Sequence, residues 1–122
     1  VLDLLPGGCV NVHPAYLPYN RGAHPNVWSI VDGTPAGATL HWIDEGVDTG
    51  DVIARRAVAV EAVDTGETLY RKLEEACVAL FDGAWPNVRA GTAPRAPQCP
   101  GGTSHRMADL ARLAEFDLDR EY

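Results

Sequence analysis

The stretch Cys9-Val10-Asn11-Val12-His13-Pro14 alternates valine with polar side chains, a pattern that predicts a short β-strand ending at the proline. Successive side chains of a strand point to opposite faces, so Asn11 and His13 share one. An amide donor beside an imidazole can polarise a carbonyl and move a proton. Far downstream, the turn Val47-Asp48-Thr49-Gly50 carries a carboxylate that a loop could bring to the imidazole, orienting it and holding its charge. Asn11, His13 and Asp48 are therefore the candidate catalytic residues, three of the parts needed to move an acyl group.

Around this strand the chain is punctuated clearly. Pro14 disfavours helix at His13 and begins an irregular connection. Tyr16 to Pro25 holds Pro18, Asn20, Gly22 and Pro25, which predicts a loop with fixed kinks. Asn26 to Val31 is expected as a short helix, ended by Asp32-Gly33-Thr34-Pro35. Ala38 to Ile43 and Val52 to Val60 read as strands, with an acidic, glycine-containing loop from Asp44 to Gly50 between them. That loop is too short for a crossover helix, so an antiparallel hairpin is expected. Asp64-Thr65-Gly66-Glu67 has the form of a capping box with Asp64 as the cap. Leu69, Leu73, Ala76, Cys77, Leu80 and Phe81 then recur at helical spacing, and Pro86 is expected to limit or kink the helix. Gly91 to Thr103 reads as extended and Asp109 to Glu115 as a last short helix.

With 122 residues, 46% of them hydrophobic, the chain suits one small domain with a real core. It opens on the apolar Val1 to Leu5 without a methionine, and reads as the later part of a longer protein. No apolar run approaches the roughly 20 residues of a membrane span. A net charge of −7 without a Lys/Arg run argues against nonspecific nucleic-acid binding, although Arg21, Arg55 and Arg56 could form a local basic pocket. Cys9, Cys77 and Cys99 are odd in number and widely spaced, which argues against a disulfide framework and against a zinc site. No metal is expected, and a reducing cytoplasm is the simplest setting.

Acyl transfer to an amine makes the carbonyl oxygen negative and requires the amine to lose a proton. The Asn11 amide can donate to that oxygen without being titrated. His13 can donate to it when protonated or take a proton when neutral, and both routes stay open. Plainer roles compete. Asn-x-His is a tiny motif, and Asp48 before Thr49-Gly50 is also a good turn former. His41 sits mid-strand, where packing or hydrogen bonding is the usual role. His24 and His105 are expected to be solvated loop residues.

The order of the pieces adds a resemblance. Residues 8–28, G-C-V-N-V-H-P-A-Y-L-P-Y-N-R-G-A-H-P-N-V-W, and 38–53, A-T-L-H-W-I-D-E-G-V-D-T-G-D-V-I, resemble the catalytic half of the folate-dependent formyltransferases. That family's Asn, His and Asp catalytic residues fall on Asn11, His13 and Asp48. The resemblance implies an α/β fold: a partial doubly wound, Rossmann-type domain in its C-terminal half. It would have a mixed sheet, a short parallel strand bearing Asn11 and His13, and the hairpin flanking Asp48. Residues 1–91 would form the catalytic half, and residues 92–122 the Pro/Gly-rich segment and terminal helix.

The same resemblance implies 10-formyltetrahydrofolate as cosubstrate, with Ile43, Asp44, Glu45, Gly46 and Val47 as the loop that helps hold the pterin. The Y-L-P-Y-N-R-G stretch is most similar to the nucleotide-sugar N-formyltransferases. G-G-T-S-H-R-M-A-D-L and F-D-L-D-R-E-Y further on are also similar to that group. The implied acceptor is the amine of a nucleotide-linked amino sugar, used in polysaccharide biosynthesis, with Tyr16, Arg21 and Gly22 as substrate-binding candidates. For Arg21, holding the proline-rich loop by bonds to carbonyls is an equal alternative. Other readings are a methionyl-tRNA or other amine formyltransferase, a formyltetrahydrofolate hydrolase, and a non-catalytic binding or assembly module. Because the family's first half would precede this chain, either an upstream segment or a second copy is expected to complete the sheet.

Overall fold

The computed structural model describes residues 8–109. The chain runs β1 (Val10–His13), β2 (Arg21–Gly22), α1 (Pro25–Asp32), β3 (Ala36–Trp42), β4 (Val52–Val58), α2 (Gly66–Ala90) and β5 (Ser104–His105). β1, β3 and β4 form a three-stranded sheet in that order, and β2 pairs with β5 in a separate two-stranded sheet. The α/β class and the β3–β4 hairpin are as expected. β1 runs antiparallel to β3, with Asn11 opposite His41 and His13 opposite Thr39, and among the described residues its other edge pairs with no strand, so the parallel neighbour expected for it is not among them. The physical reason for the antiparallel pairing is the return path. The chain folds back after Pro14 through a loop pinned to β3, where Thr39 Oγ1 donates to the Ala15 carbonyl and accepts from the Leu17 N–H. The parallel pairing within the described residues is that of β2 with β5.

The sheet has an apolar face and a polar face, and alternation sorts them. Val10, Val12, Ala38, Leu40 and Trp42 turn toward α2 and pack with Ala76, Leu80, Cys77 and Phe81. Ala36, Leu69 and Leu73 continue this layer together with Ile30 of α1. Asn11, His13, Thr39 and His41 are in the other phase, on the face that α2 does not cover. Leu40, Leu69 and Leu73 are fully buried, and each such side chain stabilises the fold by about 1.5–3 kcal/mol.

Helix α2 starts one residue later than the sequence suggests. Thr65 is the cap: its side chain accepts from the Thr68 N–H, and the Thr68 side chain bonds back to the Thr65 N–H. Asp64 is displaced from that role because its carboxylate is buried and already taken. It accepts from the Glu61 N–H, the Thr68 hydroxyl and Lys72 Nζ, the last at 2.6 Å. Burial would raise the Asp64 pKa, but Lys72 and these donors bring it below the ordinary carboxylate value. Pro86 neither ends nor limits the helix, which runs on to Ala90. Pro86 lies on an exposed part of α2, so the carbonyl it leaves without an N–H partner faces water. The helix ends at Gly91, in a left-handed conformation, where the N–H groups of Gly91 and Thr92 donate to the Val88 and Asn87 carbonyls. The expected helix over Asp109–Glu115 lies outside the described residues apart from its first position.

Residues beyond α2 return across the sheet as a strap. Its first part bonds to the hairpin: Ala96 exchanges both backbone hydrogen bonds with Val52, and Trp42 Nε1 donates to the Pro94 carbonyl. Its second part is β5. Truncating Leu73 to Ala should lower the unfolding free energy by about 2–5 kcal/mol, and Thr65→Ala by about 1 kcal/mol, in denaturant titrations.

Candidate active site

The polar face of the sheet is where the sequence-predicted catalytic residues meet. Asn11 and His13 stand side by side on β1, two positions apart. Opposite them on β3 are His41 and Thr39. The register of β3 against β4 slips between Leu40 and His41, so Val52 pairs with His41 while Ala54 pairs with Leu40. Such an irregularity twists the strand locally and re-aims its side chains. Here it occurs at His41, beside the loop that carries Asp48.

Asp48 adopts a positive φ of 57°, a conformation that Asp tolerates better than most residues. Its turn directs the carboxylate back onto the sheet. Oδ2 lies 3.5 Å from His13 Nε2 and Oδ1 lies 3.5 Å from His41 Nε2. Oδ2 also accepts from the Gly22 N–H at 2.9 Å. Gly22 has φ 88°, and a Cβ at that position would run into the His105 carbonyl. Glycine is therefore required where the backbone delivers a donor to Asp48.

The two histidines have different partners. His13 Nε2 is 2.9 Å from the Asn20 carbonyl, and a carbonyl only accepts, so Nε2 carries the hydrogen. The neutral ring then has Nδ1 free to take a proton. The Asn20 carbonyl, closer than Asp48, sets this tautomer. Asn20 is itself buried, with its amide donating to Ser29 Oγ and Thr34 Oγ1. His41 Nδ1 is 2.9 Å from the Trp42 carbonyl and so carries its hydrogen as well. In neutral His41, Nε2 is an acceptor for the Asn11 amide at 3.4 Å. Protonated, the same nitrogen becomes a donor to Asp48. A proton on His41 thus frees the Asn11 amide for another acceptor.

Electrostatics follow from this packing. Burial pushes the His41 pKa down, but the Asp48 carboxylate and the Trp42 carbonyl more than offset it, and the net shift is upward. Burial pushes Asp48 up, but His41, the Gly22 N–H and the charge of His13 bring it below the ordinary value.

The other expected site residues are distributed unevenly. Ile43 and Val47 are exposed aliphatic side chains, 40% and 69% accessible, at the two ends of the 43–47 loop. Glu45 is exposed, and Asp44 is committed within the loop, accepting from the Gly46 N–H and the Thr49 hydroxyl. Tyr16 is not brought to the trio; its ring lies beneath the Arg55 guanidinium, 4.6 Å away. Arg21 is held by the segment after α2: Nε and Nη2 donate to Gln98 Oε1, and Nη1 donates to the Gly101 carbonyl, while Arg21 and Gly22 also line a cleft beside the Asp48 turn. This cleft, of about 340 Å³, opens next to Asp48 and is lined by Arg21, Gly22, Val47 and Thr49 on one side and Ser104, His105 and Arg106 on the other. A second hollow of about 460 Å³, between β4 and α2, touches none of the trio.

Sequence reasoning missed three contributors. His41 is buried and hydrogen-bonded, as expected of a mid-strand histidine, but its place between Asn11 and Asp48 makes it part of the site. Its alternation phase on β3 is the signal that could have found it. Asn20 lies in the quoted loop, but its role depends on a carbonyl, which no side-chain pattern records. His105 is not a solvated histidine: its ring stacks on Trp28 at 3.7 Å and Nε2 lies 2.8 Å from Asp32 Oδ2.

The raised His41 pKa predicts a pH dependence. Its stabilising contribution is full below the unfolded value of 6.5 and is lost as pH rises through the higher folded value. The contribution of Asp48 is present above its unfolded value of 3.8 and is lost as pH falls through the lower folded one. In histidine NMR titrations, Asp48→Asn should lower the His41 midpoint. The melting temperature of this variant should lose the His41-linked part of the fall above pH 6.5.

Comparison with known proteins matches this geometry to one family. The formyl transferase family matches residues 1–82. The dTDP-4-amino-4,6-dideoxyglucose formyltransferase of Mycobacterium tuberculosis (strain ATCC 25618 / H37Rv) is 36% identical over 111 residues, 91% of this chain and 47% of that protein. The methionyl-tRNA formyltransferase of Agathobacter rectalis is 38% identical over 118 residues, 96% of this chain and 38% of that protein. Among solved structures, the formyltransferase PseJ from Anoxybacillus kamchatkensis, in complex with UDP-4,6-dideoxy-4-formamido-L-AltNAc and tetrahydrofolate, is similar with a TM-score of 0.90. It is 36% identical, over 98% of this chain and 65% of that one. The chain spans about half the length of the sugar formyltransferase it matches. On the family match and the identities together, the chain belongs to the formyl transferase family.

Proposed function

We propose that this chain supplies the catalytic half of an N-formyltransferase acting on the amine of a nucleotide-linked amino sugar, with 10-formyltetrahydrofolate as formyl donor. The observation that carries the reading is the convergence of Asn11, His13, His41 and Asp48 on the one sheet face that α2 leaves uncovered. The sugar-nucleotide acceptor is supported by the similarity to PseJ and to the mycobacterial dTDP-sugar enzyme. We take the protein to work in the cytoplasm, in polysaccharide biosynthesis. Tyr16, Arg21 and Gly22 contribute to the acceptor side by shaping its loop.

The 43–47 loop fits a flat heteroaromatic ring. Ile43 and Val47 present exposed aliphatic surface, while Asp44 is occupied internally, so polar ring edges would pair with the loop backbone. When bound, the folate supplies the formyl group. The Asn11 amide donates to the oxygen that gains negative charge. His13 takes the proton of the attacking amine on Nδ1 while Nε2–H stays on the Asn20 carbonyl, and gives it up to the nitrogen that leaves the formyl carbon. Asp48 stabilises the charge that then resides on the imidazoles, and a proton on His41 keeps the Asn11 amide available.

Transfer of isotope-labelled formyl should be measured on the intact protein, with dTDP- and UDP-linked amino sugars, methionyl-tRNA and water as competing acceptors. Transfer to a sugar amine is expected. Formate release regardless of added amine would favour the hydrolase, and no turnover at all would contradict the proposal. Asn11→Ala should lower kcat on the order of 10²–10³-fold, as expected for loss of an oxyanion donor. His13→Ala and Asp48→Ala should lower kcat by about 10²–10⁴-fold, with KM for the amine changed far less.

A further inference from the structure

The Gln98 side chain sits where the strap meets the catalytic turn. Nε2 donates to the Asp48 carbonyl at 2.9 Å and to the Gly50 carbonyl at 2.8 Å. Oε1 accepts from Arg21 Nε at 3.1 Å and Nη2 at 2.6 Å. The orientation of this amide is fixed by its partners. A guanidinium can only donate and carbonyls can only accept, so the reversed amide would lose all four contacts.

Both loops that Gln98 joins end on the Asp48 carboxylate. One carries Asp48 itself, in its left-handed conformation. The other carries Gly22, whose N–H bonds Oδ2 and which directly follows Arg21. The strap is anchored on either side of Gln98. Ala96 pairs with Val52 and the Arg95 guanidinium lies 4.0 Å over the Trp42 ring. Beyond it, Thr103 bonds Asn20 and Arg21, and the His105 carbonyl accepts from the Ala23 N–H. All of these strap residues lie outside the matched family region, residues 1–82.

We infer that Gln98 is a positioning residue: it locks the backbone of the Asp48 turn to the Arg21–Gly22 loop and so fixes the carboxylate against His13 and His41. The strap beyond α2 is then part of the catalytic unit. Asp48 stands in a left-handed conformation in an irregular loop; its carboxylate is held by Gly22, His13 and His41, and the Gln98 bonds on the carbonyls of Asp48 and Gly50 restrain its backbone. The rate effect of this lock rests on the formyl-transfer reading; the geometric lock does not.

The test compares Gln98→Met with Thr103→Val in the intact protein. Both remove strap hydrogen bonds and both should lower the melting temperature, but only Q98M loosens Asp48. In histidine NMR titrations, Q98M should lower the His41 midpoint, because the Asp48 carboxylate that holds it up is no longer fixed. T103V should leave that midpoint in place. In labelled formyl transfer, Q98M should lower kcat roughly 10- to 100-fold with KM for the amine within about twofold, the pattern of a misplaced catalytic group. If Q98M does not fold, Gln98→Glu replaces it: this variant keeps the acceptor for Arg21 and removes both donors to the turn, and kcat should fall in the same way. An unmoved His41 midpoint in folded Q98M, or equal shifts in Q98M and T103V, would overturn the inference. So would a kcat for Q98E within about twofold of the parent. If neither parent nor variant transfers formyl, the His41 titration still decides whether Gln98 fixes Asp48.

Discussion

One carboxylate organises the polar side of this molecule. Asp48 lies between two imidazoles from neighbouring strands and accepts a backbone hydrogen bond from the loop that follows β1. A half-buried carboxylate needs compensation, and here each compensating group is also part of the site. The histidines hold the charge of Asp48, and Asp48 in turn raises the proton affinity of His41. Four segments are thereby tied together: β1 and the loop at Gly22 after it, and β3 and the turn after it. The apolar face, packed against α2, provides the rigid base on which this arrangement stands.

Much of the fold was legible because it rests on local periodicity. The valine alternation of β1, the hairpin pair and the leucine stripe of α2 each report their own burial. The antiparallel pairing of β1 with β3 was not legible, since pairing depends on how the chain returns, and that return depends on Thr39 holding the Ala15–Leu17 backbone from a distant strand. The cap of α2 was misplaced by one residue because Asp64 has a stronger set of partners in Lys72 and Glu61 than the helix end could offer. Pro86 breaks a rule of propensity, but both Pro86 and Asp82, whose carbonyl it leaves without its N–H partner, are exposed, where solvation lowers the cost.

The site divides along the same line. Asn11, His13 and Asp48 are side chains whose chemistry is visible in the sequence, and the structure brings them together. Their supports act through backbone groups or across long separations. The Asn20 carbonyl sets the His13 tautomer, Gly22 contributes an N–H, and Gln98 reaches the Asp48 turn from 50 positions away. No spacing rule records such contacts. The chain also covers only about half of its sugar formyltransferase relative.

The dependence of the site on Asp48 is tested most directly by a double-mutant cycle on stability, using Asp48→Asn, His41→Gln and the double variant below pH 6.5, where His41 is charged. If the carboxylate and imidazole act as one unit, the two losses will not add, and the coupling will fall at about 0.5–3 kcal/mol. Additivity within about 0.3–0.5 kcal/mol would contradict the central place given to this interaction.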